Sequence, residues 1–132
     1  MNAVLDSHIW IWWLTGQDDL SLKNRAHLDS LAKRGMPPFL SAISLWEAQM
    51  LFRKGRLTLD MDFALWLTQA TDPEVVRLLP LDTSVILALD SLPRFFHGDL
   101  ADRIIVATAK AHALPLMTED KAIRRSKIVE IA

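Results

Sequence analysis

AVLDSHIWIWWLTG, residues 3–16, is the stretch that decides the fold. Its opening Ala3-Val4-Leu5 is a short apolar run, which predicts a buried strand that ends at Asp6. Residues 7–15 are apolar on nearly all sides, which predicts a buried helix that stops at Gly16. A buried strand followed at once by a buried helix is typical of the first unit of a parallel α/β sheet.

The remainder of the chain repeats this alternation. Further strands are predicted at residues 39–41, 75–79 and 114–117, with a last one at 128–131, and further helices at 21–34, 43–54, 60–71, 82–91, 100–112 and 119–125. Short apolar strands that alternate with helices predict a three-layer α/β/α fold with a central, mostly parallel sheet. Such sheets bind ligands at the carboxyl ends of their strands.

The composition limits the kind of site that this fold can carry. A chain of 132 residues is expected to form one domain, residues 1–132. It has no cysteine, and its histidines (His8, His27, His97, His112) lack the spacing of a zinc site, so any metal must be held by oxygen ligands. Oxygen ligands favour Mg²⁺ or Mn²⁺.

Compartment and charge are less informative. No apolar run reaches the roughly 20 residues needed to span a bilayer, and the opening MNAVLD lacks the features of a signal peptide. We therefore expect a cytoplasmic protein without a membrane partner. The net charge of −1 neither indicates nor excludes a nucleic-acid substrate.

Two acids follow predicted strands. Asp6 comes directly after the first strand, and Asp120 comes shortly after Leu116-Met117, where a helix opens. Both are expected at the carboxyl edge of the sheet. The alternative for Asp120, together with Thr118, is an ordinary capped helix start.

Two more acids lie on apolar helix faces. The helical neighbours of Glu47 are Ile43, Met50 and Leu51, and those of Asp102 are Ile105, Val106 and Ala109. A buried acid without a partner costs several kcal/mol. Alternatively, Glu47 is an exposed residue at the border of the apolar face of its helix. Asp99 as an N-cap and Asp102 in the first turn could likewise only stabilise their helix.

Taken together, the four acids favour a metal site. Close carboxylates repel one another and do not all remain ionised without cations among them. Two hard cations bridged by acids are a known means of activating water and stabilising displacement at phosphorus. Neither a serine–histidine–acid arrangement nor a glycine-rich phosphate loop competes with this interpretation.

Several segments resemble PIN-domain toxins of the VapC type, in the right order over almost the whole chain. These are Asn2-Ala-Val-Leu-Asp-Ser-His-Ile-Trp, Ser41-Ala-Ile-Ser-Leu-Trp-Glu-Ala with Arg53-Lys-Gly-Arg-Leu, His97-Gly-Asp-Leu-Ala-Asp-Arg-Ile-Ile-Val-Ala-Thr-Ala, and Leu116-Met-Thr-Glu-Asp-Lys-Ala-Ile. The family has a parallel sheet between helices, as inferred above. Leu100 stands where family members commonly have proline, which affects the local turn more than the chemistry.

The resemblance assigns roles to individual residues. It implies that Asp6, Glu47 and Asp102 are the core metal-binding and catalytic acids, with Asp120 as the fourth. Asp99 looks like an auxiliary acid, and Ser7 and Thr118 look like the family's hydroxyl residues beside the acids. Ordinary helix-start roles remain open for both hydroxyl residues.

The resemblance also implies an activity and partners. It implies an endoribonuclease that uses Mg²⁺ or Mn²⁺, acts as a toxin, and is inhibited by a cognate VapB-like antitoxin in a type II toxin–antitoxin system. A homodimer or a toxin–antitoxin hetero-oligomer is then expected. Two competing hypotheses are a PIN-like nuclease without a toxin role that cuts structured DNA or RNA, and a catalytically inactive PIN-like binding module.

Two other groups of residues are candidates for contact with RNA. The basic residues Lys121, Arg124, Arg125 and Lys127 would lie near the site, either on RNA phosphates or on a solvated helix face. Trp10, Trp12 and Trp13 could stack on bases, but their place on a buried helix favours the core or a dimer surface.

Overall fold

A computed structural model describes residues 2–96 and 98–132. His97, the first residue of one of the family-like segments, lies outside the described residues. The helices and strands in chain order are β1 (Val4–Leu5), α1 (Ser7–Thr15), α2 (Leu22–Lys33), β2 (Phe39–Ser41), α3 (Ile43–Arg53), α4 (Phe63–Ala70), β3 (Arg77–Leu79), α5 (Thr83–Asp90), α6 (Leu100–Ala111), β4 (Leu116–Met117) and α7 (Lys121–Ser126).

The sheet has the strand order β3-β2-β1-β4, and every pairing in it is parallel. Val4 of β1 lies opposite Phe39 of β2 on one side and Leu116 of β4 on the other. The chain first builds outward from β1 to β3 and then returns to add β4 on the opposite side of β1. The strand order thus reverses between β1 and β4, which is where open α/β sheets leave a crevice for ligands.

Apolar cores cover both faces of the sheet. Val4 and Leu116 belong to one core, packed with Ile105 of α6. Leu5 and Met117 belong to the other, packed with Trp10 of α1. Consecutive strand residues therefore point to opposite cores, and the predicted three-layer α/β/α fold with a parallel sheet is confirmed.

Several predicted strands are shorter than expected: residues 3–5 contribute only Val4–Leu5, and residues 114–117 contribute only Leu116–Met117. Residues 75–79 contribute only Arg77–Leu79, an edge strand. Residues 128–131 make a single parallel bridge, Leu116 to Ile131, and form no strand. An apolar pattern indicates that a segment is buried, not that it pairs with a strand. Ile128, Val129 and Ile131 are half-buried against the core on the α6 side of the sheet. In the described part of the chain, no helix is long and apolar enough to cross a membrane.

Candidate metal centre

Asp6 lies at the end of β1, at the reversal point of the strand order. It is the N-cap residue of α1, yet its side chain makes no capping hydrogen bond and is only 4% exposed. Its Oδ2 accepts a hydrogen bond of 2.7 Å from the Thr118 hydroxyl, whereas its Oδ1 is buried without a hydrogen-bond partner. Burial raises the pKa of Asp6 above its ordinary value, an effect that the hydrogen bond from Thr118 partly opposes.

Glu47 enters the same region from α3. Its side chain is 5% exposed, so it is not a solvated residue at the border of the apolar stripe. Its Oε1 is also buried without a hydrogen-bond partner. Burial is the main reason that the pKa of Glu47 is raised; the nearby Ser7 hydroxyl partly opposes this effect, and the charges of Asp6 and Asp99 add to it.

Asp102 lies in the first turn of α6 and is half-buried. Its pKa is raised to about 7, first by burial and then by the negative charges of the other acids, in the order Asp99, Asp6, Asp120 and Glu47. Acids that shift one another in this way lie close in space. The fold therefore brings together side chains that are far apart in the sequence.

Asp99 and Asp120 both cap helices. Asp99 Oδ1 accepts a hydrogen bond of 2.8 Å from the Asp102 amide, and Asp120 Oδ1 accepts one of 2.9 Å from the Ile123 amide. The capping roles considered from the sequence are therefore present. Each cap bond occupies one oxygen of its carboxylate, so capping does not prevent the second oxygen from serving the cleft.

The two hydroxyl residues differ in what they contact. Thr118 Oγ1 donates to Asp6 and accepts a hydrogen bond of 3.0 Å from the Asp120 amide, so it links two of the acids. Ser7 is fully buried, and its hydroxyl pairs with that of Ser44 at 2.7 Å. Ser7 thus ties the first turn of α1 to α3, the helix that carries Glu47.

The five acids described above all line one cavity of about 290 Å³. Its lining consists of Asp6, Glu47, Asp99, Asp102 and Asp120, joined by His8, Trp12 and Glu119. Sequence reasoning missed the last three as cleft residues. The available signal was helical spacing, because His8 and Trp12 are one turn apart on α1 directly after Asp6, and their rings lie 5.6 Å apart.

The chemistry of this cavity fits a hard divalent cation. It offers carboxylate oxygens, two of them buried without a hydrogen-bond partner, and oxygen is the ligand that Mg²⁺ and Mn²⁺ prefer. Within residues 2–96 and 98–132, no three histidine or acidic side chains are already arranged as a closed metal-binding group.

Comparisons with known proteins agree with this architecture. The family described as the PIN domain matches residues 3–128. Ribonuclease VapC22 from Mycobacterium tuberculosis is 36% identical over 126 residues, which cover 93% of this chain and 90% of that protein.

Similar solved structures include VapBC2 from Rickettsia felis bound to a promoter DNA fragment, with a TM-score of 0.72 at 16% identity, covering 100% of this chain and 98% of that one. FitAB bound to a DNA fragment has a TM-score of 0.68 at 22% identity, covering 98% of this chain and 92% of that one. At these identities the structures bear on the fold alone, and they agree with the family match. The chain belongs to the PIN-domain family.

Proposed function

We propose that this protein is a metal-dependent endoribonuclease and the toxin of a type II toxin–antitoxin system. The observation that carries the proposal is the pair of buried oxygens without hydrogen-bond partners, Asp6 Oδ1 and Glu47 Oε1, in one acidic cleft. Leaving buried charges unpaired costs several kcal/mol, and a divalent cation would satisfy both oxygens. The similarity to a protein named as a ribonuclease supports RNA as the substrate.

In this proposal Asp6, Glu47 and Asp102 hold Mg²⁺ or Mn²⁺, and Asp120 is the fourth acid. When bound, the ion supplies Lewis-acid activation of water and offsets charge at phosphorus. Thr118 holds the Asp6 carboxylate in one orientation through its 2.7 Å hydrogen bond, which leaves Oδ1 directed elsewhere.

The neighbouring residues support these acids. Ser7 fixes α1 against α3 and so places Asp6 and Glu47 relative to each other. Asp99 adds negative charge to the cleft while it caps α6. The positions of both residues therefore suit auxiliary roles.

The proposed partners follow from the relatives. Two of the similar solved structures are VapBC2 and FitAB, each bound to DNA. We propose a VapB-like antitoxin as the inhibitor of this chain, in a homodimer or a toxin–antitoxin hetero-oligomer. We also propose that residues 1–132 act as one domain and that the protein works in the cytoplasm.

The test compares Asp6→Asn with Asp60→Asn, an exposed acid outside the cleft. With Mg²⁺ or Mn²⁺ we expect the purified wild type and Asp60→Asn to cut cellular RNA, Asp6→Asn to be inactive but folded, and chelation to stop cleavage. In cells, induced wild-type protein should arrest growth unless the gene beside it is co-expressed.

Two results would replace this proposal. Cleavage of structured DNA but not RNA, without a growth effect, would indicate a nuclease without a toxin role. An absence of cleavage in the wild type, with Asp6→Asn behaving identically, would indicate an inactive binding module.

A further inference from the structure

Two fully buried serine hydroxyls meet where α1 packs against α3. Ser7 opens α1 and Ser44 lies in the first turn of α3, and their side-chain oxygens are 2.7 Å apart. Ser7 directly follows Asp6 in the chain, while Ser44 lies about one helical turn before Glu47. Each serine is thus next to an acid with a buried oxygen that has no hydrogen-bond partner among the described residues.

The single proton of each hydroxyl limits how the pair can be arranged. A serine hydroxyl donates one hydrogen bond and can accept two. Burial raises the pKa of Glu47, and the nearby Ser7 hydroxyl lowers it, which is the effect of a hydrogen bond donated to a carboxylate. If Ser7 gives its proton to Glu47, the contact of 2.7 Å between the two serines must be donated by Ser44.

Thr118 has the same arrangement beside the other acid. The Asp120 amide donates to Thr118 Oγ1 at 3.0 Å, and Thr118 Oγ1 donates to Asp6 at 2.7 Å. A donor behind the hydroxyl occupies its acceptor side and leaves its proton for the acid. Ser44 has the corresponding position behind Ser7.

We propose that Ser44 is a positioning residue of the metal centre, which donates to Ser7 and so keeps the Ser7 hydroxyl directed at Glu47. The Glu47 carboxylate then keeps one orientation, with its other oxygen left for the cation. Hydrogen bonds behind a metal ligand commonly tune the affinity of a site. The inference rests on the proposed metal-dependent function and adds a residue to which the family resemblance assigns no role.

The competing interpretation is that the two serines only tie α1 to α3. A serine inside a helix can donate to the carbonyl one turn earlier. Ser44 would then accept the proton of Ser7, and Glu47 would have no donor from this pair. Both arrangements give the same distance between the two oxygens, so they differ in their effect on metal affinity.

Calorimetry of Mn²⁺ binding to the purified protein distinguishes the two interpretations. The variants are Ser44→Ala, Ser7→Ala, the double variant of both, and Ser44→Cys. Cysteine fills the space of serine but is a weak donor. Ser41→Ala is the matched control, because the Ser41 hydroxyl is also buried but contacts Thr108 and the Ile43 amide.

We expect Ser7→Ala to weaken Mn²⁺ binding by about 10-fold or more, as for the loss of a hydrogen bond to a metal ligand. Ser44→Ala should weaken it by about threefold or more, within the range of coupling in one hydrogen-bond network. The double variant should match Ser7→Ala within about twofold, since Ser44 acts through Ser7. Ser44→Cys should lie between the wild type and Ser44→Ala, and Ser41→Ala should bind like the wild type.

Four results would overturn the inference. They are wild-type affinity in Ser44→Ala, full recovery of affinity in Ser44→Cys, losses of the single variants that add in the double variant, and an equal loss in Ser41→Ala. The double variant removes both hydroxyls, so it leaves neither serine oxygen buried without its partner. If Ser44→Ala alone does not fold, Ser44→Cys takes its place, and wild-type affinity in that variant rejects the inference.

The proposed function is judged separately from Ser44. Mn²⁺ binding by the wild type that is lost in Asp6→Asn, together with cleavage of RNA, supports the metal-dependent ribonuclease whatever the result at Ser44. If the wild type does not bind Mn²⁺, the metal centre itself is rejected, and the role of Ser44 with it.

Discussion

Burial raises the pKa values of Asp6, Glu47 and Asp102, so the three side chains resist ionisation in the metal-free fold. Core positions normally carry apolar groups that favour folding, and these acids do the opposite when they are charged. At the scale of the residue, the cleft is therefore a local source of instability, which is common where a fold is shaped for ligand binding.

The first prediction concerns the pH dependence of the metal-free protein. The pKa of Asp102 is raised from 3.8 to about 7, so between these values the folded state holds a proton that the unfolded state has lost. Its contribution to stability is complete below the unfolded value and is lost as the pH rises through about 7. We expect the free energy of unfolding to fall as the pH rises, in chelator, by urea denaturation.

Asp102→Asn supplies the matched variant. It removes the ionising group, so at about pH 8 its free energy of unfolding should be roughly 1 kcal/mol higher than that of the wild type. The figure is kept small because the side chain is partly exposed, and solvent weakens the effect of its charge. Asp60→Asn, at an exposed acid outside the cleft, is the control variant. A profile for Asp102→Asn identical to that of the wild type would disprove the assignment.

The second prediction concerns Thr118. Thr118→Val removes the hydroxyl that orients Asp6, so we expect Mn²⁺ affinity measured by calorimetry to fall about 10- to 100-fold, as is usual when a ligand's supporting hydrogen bond is lost. Thr68→Val is the control, because that hydroxyl donates only to a carbonyl of its own helix. Equal affinities for the two variants would contradict an orienting role.

Much of the site could be predicted because single residues carry strong signals. Glu47 was found from its apolar helical neighbours, and Asp6 from its place directly after a strand. His8 and Trp12 were missed as cleft residues, because their one signal, a spacing of one helical turn directly after Asp6, is shared by many pairs of helix residues that line no site. The packing of α1 against α3 then brings them to the cleft that Glu47 enters.

At the scale of the element, the helix starts are both caps and parts of the cleft. Asp99 begins α6 and Asp120 begins α7, and each carboxylate accepts an amide hydrogen bond of its helix. The helices were predicted to within a few residues because such start signals are local. The segment 128–131, predicted as a last strand, pairs with β4 at one bridge only, because the length of a strand depends on distant partners that an apolar pattern does not specify.

The third prediction separates capping from metal binding at Asp99. Asparagine caps a helix about as well as aspartate, so the free energy of unfolding of Asp99→Asn should lie within about 0.5 kcal/mol of the wild-type value. That of Asp99→Ala should be lower by about 1 kcal/mol, because alanine provides no cap. We expect both variants to bind Mn²⁺ more weakly because both lack the charge. Wild-type affinity in Asp99→Asn would show that Asp99 is a cap and nothing more.

At the scale of the whole molecule, the acids join elements from both cores. Asp6 follows β1, Glu47 is on α3, Asp102 is on α6 and Asp120 begins α7. An ion held by these residues would link segments on both faces of the sheet, so its binding energy would add to the global stability rather than to one helix.

The fourth prediction follows from this linkage. Mn²⁺ at about 100 times its dissociation constant should stabilise the protein by about 2.7 kcal/mol and raise its melting temperature by roughly 10 °C. Scanning calorimetry of wild type and Asp6→Asn measures this directly. A comparable increase in Asp6→Asn would place the ion elsewhere.

The hydrogen bond between Thr118 and Asp6 joins residues 112 positions apart in the chain. During translation the amino-terminal strand emerges long before β4 and Thr118 are synthesised. A nascent or prematurely terminated chain that lacks this last part would have Asp6 without its orienting partner and without Asp120. An emerging chain that has not yet reached Thr118 and Asp120 would therefore lack part of the proposed metal site.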